Sequence, residues 1–179
     1  FKSSNHGWVW FYRQVIKCEV DLTKEVVAVK PATQTEEVTI RTLTSHTSIA
    51  PGQEFQVAVS FQIANGWHIS GSEEGESYLP TTIKWKLPKG ASVKDVQWPK
   101  PLPLQQGDLV IPTYEGTVTA LATIVAPKDA KPKKNLKLTA EVRWQVCTET
   151  LCKPGRAKIK TRVAMGPSSA RESTAVDTQ

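Results

Sequence analysis

The sequence predicts an all-β fold, an immunoglobulin-like antiparallel β-sandwich. Three observations carry that prediction. Apolar and other residues alternate strictly over several short runs, turn formers separate those runs, and no comparable stretch has helical periodicity. Seven or more such strands in one chain of 179 residues suit two packed sheets, with a closed barrel as the alternative.

In chain order, "EVTIRTLT" from Glu37 is the first strand inside the predicted sandwich. "EFQVAVSFQI" follows, with Phe55, Val57, Val59, Phe61 and Ile63 on one face. "TTIKWKL" sets Ile83, Trp85 and Leu87 inward, "VKDVQW" begins at Val93, and "TVTALATIV" begins at Thr117. "LKLTAEVRWQV" points Leu136, Leu138, Ala140, Val142, Trp144 and Val146 one way, and "AKIKTRV" does the same with Ala157, Ile159, Thr161 and Val163. The turns are "APGQ", "ANGW", "LPKG" and "APKDAKPKK".

Two regions depart from the pattern. Trp98 to Pro112, "WPKPLPLQQGDLVIP", has four prolines and reads as a long ordered loop, because proline supplies no ladder N–H. Gly166 to Gln179 has linker composition. The expected organisation is an N-terminal extension over 1–34, the sandwich over 35–165 and a tail over 166–179. Within the extension, "CEVDLTK" from Cys18 faintly echoes "CTETLCK" from Cys147, as the end of a degenerate preceding copy or by chance. A start at Phe1, with neither Met nor a signal pattern, reads as a processed or excised fragment.

Composition narrows the function. With 39% hydrophobic and 22% charged residues the chain is an ordinary globular one, and its apolar runs are too short to cross a bilayer as helices. The formal charge of +6 comes from lysines and arginines scattered along the chain, so the expectation is a solvated surface and no nucleic-acid partner.

The chemistry concentrates in "WQVCTETLCKP", where four residues separate Cys147 from Cys152. A zinc site needs about four ligands. Cys18, His6, His46 and His68 are isolated, so neither metal nor cofactor is expected. A disulfide is feasible, because a hairpin turn over Thr148 to Leu151 would bring the Cα atoms into the ~4.4 to 6.8 Å window. Such a bridge closes a short loop and stabilises less than one joining distant strands. Lys153 and Arg156 favour a thiolate at Cys152 while Glu149 opposes it, making Cys152 the more nucleophilic sulfur. On this chemistry alone a structural bridge and an exchanging couple remain equally open.

Other candidates have plain readings. Trp67, Trp85 and Trp144 are expected in the core, with His68 hydrogen-bonded beside Trp67. Trp98 stands at the mouth of the proline-rich segment. Tyr114 either shields the sulfurs or anchors a turn. Glu73, Glu74 and Glu76 read as solvated loop charge.

"PGQEFQVAVSFQIANGWHIS", "PTTIKWKLPKGASVKDVQWPKP", "YEGTVTALATIV" and "LKLTAEVRWQVCTETLCKP" together resemble the amino-terminal extracytoplasmic domain of the thiol:disulfide interchange protein DsbD and its ScsB-like relatives, from about Thr35 to Val163. The resemblance implies a sandwich whose Cys147 and Cys152 relay electrons from a thioredoxin-like domain, fed by a membrane-embedded one, to oxidised periplasmic proteins. It implies that Cys152 forms the mixed disulfide, and that Trp98 to Tyr114 corresponds to a loop covering the active site, although the acidic and aromatic residues familiar in that loop are missing here. Two other functions stand beside it: a non-catalytic module with a structural bridge, and a relative that binds Cu(I) through the dithiol.

Overall fold

The computed structural model describes residues 33–75, 77–132 and 134–170. Cys18 and its echo, His6, Glu76 and the end of the tail lie outside the described residues. The strands are β1 (Thr33–Gln34), β2 (Val38–Thr44), β3 (His46–Ile49), β4 (Glu54–Ile63), β5 (His68–Ser70), β6 (Thr82–Lys86), β7 (Ser92–Gln97), β8 (Leu102–Gln106), β9 (Leu109–Tyr114), β10 (Thr117–Val125), β11 (Asn135–Cys147), β12 (Cys152–Met165) and β13 (Ser169–Ala170). Among the described residues there is no helix.

The strands form two sheets. Sheet A has the order β1-β2-β4-β10-β7, and sheet B the order β13-β3-β12-β11-β5-β9-β8, with β6 also paired to β11. Pairing is antiparallel except between β12 and β3, which run parallel at Ala164↔Ser48 and Met165↔Ile49. The expected sandwich is therefore present, with one parallel contact that alternation could not reveal.

The predicted inward positions of β4 and β11 are the core, while Ile83, Trp85 and Leu87, and Ala157 and Thr161 on β12, are half-buried at its margin. Phe55, Val57, Val59, Phe61 and Ile63 on β4 are buried, as are Val118, Ala120, Ala122 and Ile124 on β10. They meet the even-numbered face of β11, from Leu136 to Val146. One cluster joins Ile40 and Phe61 of sheet A to Val142, Trp144 and Val146 of sheet B. Burying five such side chains, at about 1.5–3 kcal/mol each, fixes the end of β11 that carries Cys147.

Trp98 to Pro112 differs from expectation. It is not an irregular loop: β8 and β9 form a hairpin that turns at Gly107 (φ 61°), and Pro103 stands opposite Pro112. β8 ends the sheet, where the missing N–H of Pro103 costs no ladder bond, and Pro112 on β9 lies just past the last β5 partner, Thr113. Beyond 165 the chain keeps its pairing as far as Ala170, against β3.

The basic residues are also arranged otherwise than the sequence suggests. On β6, β11 and β12 the outward positions fall in register: Lys84↔Glu141↔Lys158, Lys86↔Thr139↔Lys160, Arg143↔Arg156 and Lys137↔Arg162. Charges scattered along the chain thus gather on the outer face of sheet B.

Candidate functional site

Cys147 ends β11, Cys152 begins β12, and the two are cross-strand partners. They form a disulfide with S–S 2.02 Å and Cα atoms 4.1 Å apart, slightly closer than the expected window. The turn between them is held by Thr148. Its N–H donates to the Leu151 carbonyl at 2.8 Å, and its Oγ1 accepts from the N–H groups of Leu151 at 3.1 Å and Thr150 at 3.3 Å.

The two sulfur-bearing residues have different surroundings. Cys147 lies between Cys152 on β12 and His68 on β5, and is 6% exposed. Cys152 is exposed. So close a Cα spacing marks a non-hydrogen-bonded antiparallel pair, in which the Cys152 N–H and C=O point away from β11. On that side β12 has a strand partner only at Ala164 and Met165 among the described residues. Pro154 shares the phase of Cys152, so its missing N–H faces the free edge.

Two residues behind the pair position it. Trp144 lies across from Gly155, and a Cβ on Gly155 would fall inside the Trp144 indole. Glycine is needed there to admit the ring, which packs in the cluster under the hairpin. Lys153 donates to Glu37 Oε1 at 2.7 Å, and its ammonium lies 5.1 Å from the Trp67 ring centre. The Lys153 hydrogen bond and charge hold the Glu37 carboxyl below its usual range. Much of the cationic support that the sequence assigns to Cys152 is thus engaged by Glu37.

A groove of about 360 Å³ adjoins Cys152, lined by Ser77, Tyr78, Leu79, Gln145, Cys152, Lys153 and Pro154. The Leu79 N–H donates to Gln145 Oε1 at 2.8 Å, tying the β5–β6 connection to the disulfide hairpin. Leu79 and Leu151 are exposed apolar residues. Sequence reasoning missed Glu37, Gln145, Tyr78, Leu79 and Gly155. Gln145 alone carried a signal, since it shares the outward phase of Cys147.

Trp98 and Tyr114 stack on each other, with centroids 5.8 Å apart and planes 16° apart, and Trp98 meets Phe61 at 5.8 Å. The Tyr114 hydroxyl donates to the Pro99 carbonyl at 2.9 Å, and burial raises its pKa. Both residues pack with the core, and the groove draws no lining residue from 98–114. Glu149 is exposed in the turn. Burial lowers the His68 pKa, partly offset by Glu115. Among the described residues no three His, Cys, Asp or Glu side chains gather as a metal site.

Residues 39–164 match the family model "Thiol:disulfide interchange protein DsbD, N-terminal", a stretch that includes both cysteines. The chain belongs to this family. Among solved structures, this DsbD N-terminal-family domain is similar to the N-terminal periplasmic domain of ScsB from Proteus mirabilis, at 16% identity and a TM-score of 0.54. That match covers 74% of this chain and 49% of the ScsB chain, so the chain spans about half the length of that domain. The reduced N-terminal domain of DsbD from Neisseria meningitidis matches at 13% identity and a TM-score of 0.40, over 74% of this chain and 90% of that one. The GAE domain of GGA2p from Saccharomyces cerevisiae matches at 15% identity and 0.44, over 72% and 93%. At these identities the likeness concerns the fold alone. No curated protein sequence matches the chain significantly.

Proposed function

We propose that this domain is an extracytoplasmic thiol–disulfide exchange module in which Cys147 and Cys152 relay electrons from a thioredoxin-like redox domain to oxidised proteins. The observation that carries this reading is the asymmetry of the pair, an exposed Cys152 at a free strand edge bonded to a buried Cys147. Family membership supports the same chemistry. A purely structural bridge is less apt here, since closing a ring of this size contributes about 2 kcal/mol, in a hairpin that already has cross-strand bonds.

In the reducing half-reaction a partner thiolate attacks Cys152 Sγ. The Cys147–Cys152 bond breaks, a mixed disulfide forms at Cys152, and Cys147 leaves as the thiolate. The partner's second thiolate then attacks its own sulfur in the mixed disulfide and releases Cys152. Two electrons have moved, the partner is a disulfide, and the domain is a dithiol. Reversing these steps passes the electrons on, with Cys147 resolving the mixed disulfide.

Replacing the resolving sulfur tests the roles. Incubated with an oxidised thioredoxin-like protein, Cys147→Ser should accumulate a mixed disulfide visible by non-reducing electrophoresis and mass spectrometry. Cys152→Ser should not. Equal trapping by both variants, or by neither, would contradict the assignment.

A further inference from the structure

The outer face of sheet B has a charge that the exchange chemistry leaves unused. Its outward positions on β6, β11 and β12 bring together eight cations against the carboxylate of Glu141, which Lys86 holds at 2.7 Å. That is a formal +7 on one face, where the whole chain carries +6. The rest of the molecule is close to neutral, so its attraction for anions is local.

The face continues into the disulfide. Arg143↔Arg156 is followed on the same outward phase by Gln145↔Pro154 and then Cys147↔Cys152. From Cys152 to Arg162 the strand covers about 33 Å, the width of a small protein domain. A ligand lying along this face therefore reaches the exposed sulfur.

We propose that the outer face of sheet B is the docking surface for an acidic face of the redox partner, and that docking there delivers the partner's thiolate to Cys152. The proposal rests on the exchange reading and adds the chemistry of the partner to it. Charge complementarity selects an acidic surface, and continuity with the sulfurs selects the exchanging protein over any other polyanion. On attack the partner's electron pair forms the new bond to Cys152 Sγ, and the pair from the broken bond leaves on Cys147 Sγ. Remote cations raise the encounter rate without altering the sulfurs. Lys158 lies about 20 Å along the strand from Cys152, beyond the Debye length of ~10 Å at 0.1 M salt.

The test uses the whole chain and the variant Lys137→Gln/Lys158→Gln/Lys160→Gln/Arg162→Gln. Two single-cysteine peptides serve as probes, one with about ten glutamates on each side to span the face and one with glutamines instead. Opening of the Cys147–Cys152 bond is read by acid quench and mass spectrometry. Taking the wild-type-to-variant ratio for each peptide cancels the peptide's own thiol reactivity. The acidic peptide should react about tenfold faster with wild type at low salt, and this ratio should collapse near 1 M salt, where the Debye length is ~3 Å. The glutamine peptide should give a ratio of one, which also shows that the variant is folded. A ratio of one for the acidic peptide overturns the proposal while leaving exchange intact.

If neither peptide opens the bond in either protein, the exchange reading fails. The acidic peptide with serine for cysteine then decides by fluorescence anisotropy: binding lost in the variant upholds the acidic docking surface, and no binding overturns it. Tighter binding to phosphatidylglycerol–phosphatidylcholine vesicles or to duplex DNA than to the serine peptide overturns it in favour of that class.

Discussion

Cys147 and Cys152 differ in what surrounds them rather than in their chemistry. One is enclosed by β5 and β12, and the other stands at a free edge with its backbone N–H and C=O directed outward. Strand phase in the sequence located both sulfurs and supported the pairing, but exposure depends on β5, which sequence order does not bring beside Cys147. The same limit applies to Lys153, because Glu37 lies far from it in the chain yet meets it at 2.7 Å. His68, opposite Cys147, yields a pH prediction. Its pKa is lowered by burial, so the folded state binds fewer protons than the unfolded one. Stability from this group is complete above the ordinary imidazole value of about 6.5 and falls as pH drops through it toward the folded pKa. Urea midpoints measured from about pH 7.5 to 5 should fall on acidification, and His68→Gln should flatten part of that slope. An unchanged slope would place the acid sensitivity elsewhere.

Among the elements, the β11–β12 hairpin does most to position the site. Its inward residues, Trp144 and Val146, are held in the core, and its outward ones, Gln145 and Cys147, face the groove and the sulfur chemistry. Gly155 is the narrow point. Gly155→Val would push the Trp144 indole out of place and should destabilise the fold by about 1–3 kcal/mol in thermal or denaturant unfolding, an overpacking cost. Wild-type stability in that variant would show that Trp144 repacks freely. Alternation made β4, β10 and β11 legible, since each has one buried face. It was weaker for β12, which alternation showed only from Ala157, because Pro154 and Gly155 interrupt the pattern in the strand's first residues and only the free edge shows where Pro154 can sit. It failed for β8 and β9, because Pro103 sits on the strand that ends the sheet and Pro112 lies just past the last β5 partner, Thr113, so neither proline interrupts a ladder as it would inside a central strand.

At the scale of the molecule, the sandwich does what no single segment could: it aligns outward positions from three strands into one cationic face that leads to the disulfide. Each charge was visible in the sequence, but the register that assembles them comes from long-range pairing between β6, β11 and β12. The exchange proposed for this domain demands that the bridge be reducible by a protein partner, which separates a relay from a staple. The most direct measurement is the equilibrium potential of Cys147–Cys152 in glutathione buffers. A relay predicts a value above ~−300 mV, with rapid exchange when a reduced thioredoxin-like protein is added. A value well below that, with no exchange, would contradict the account and leave the bridge structural.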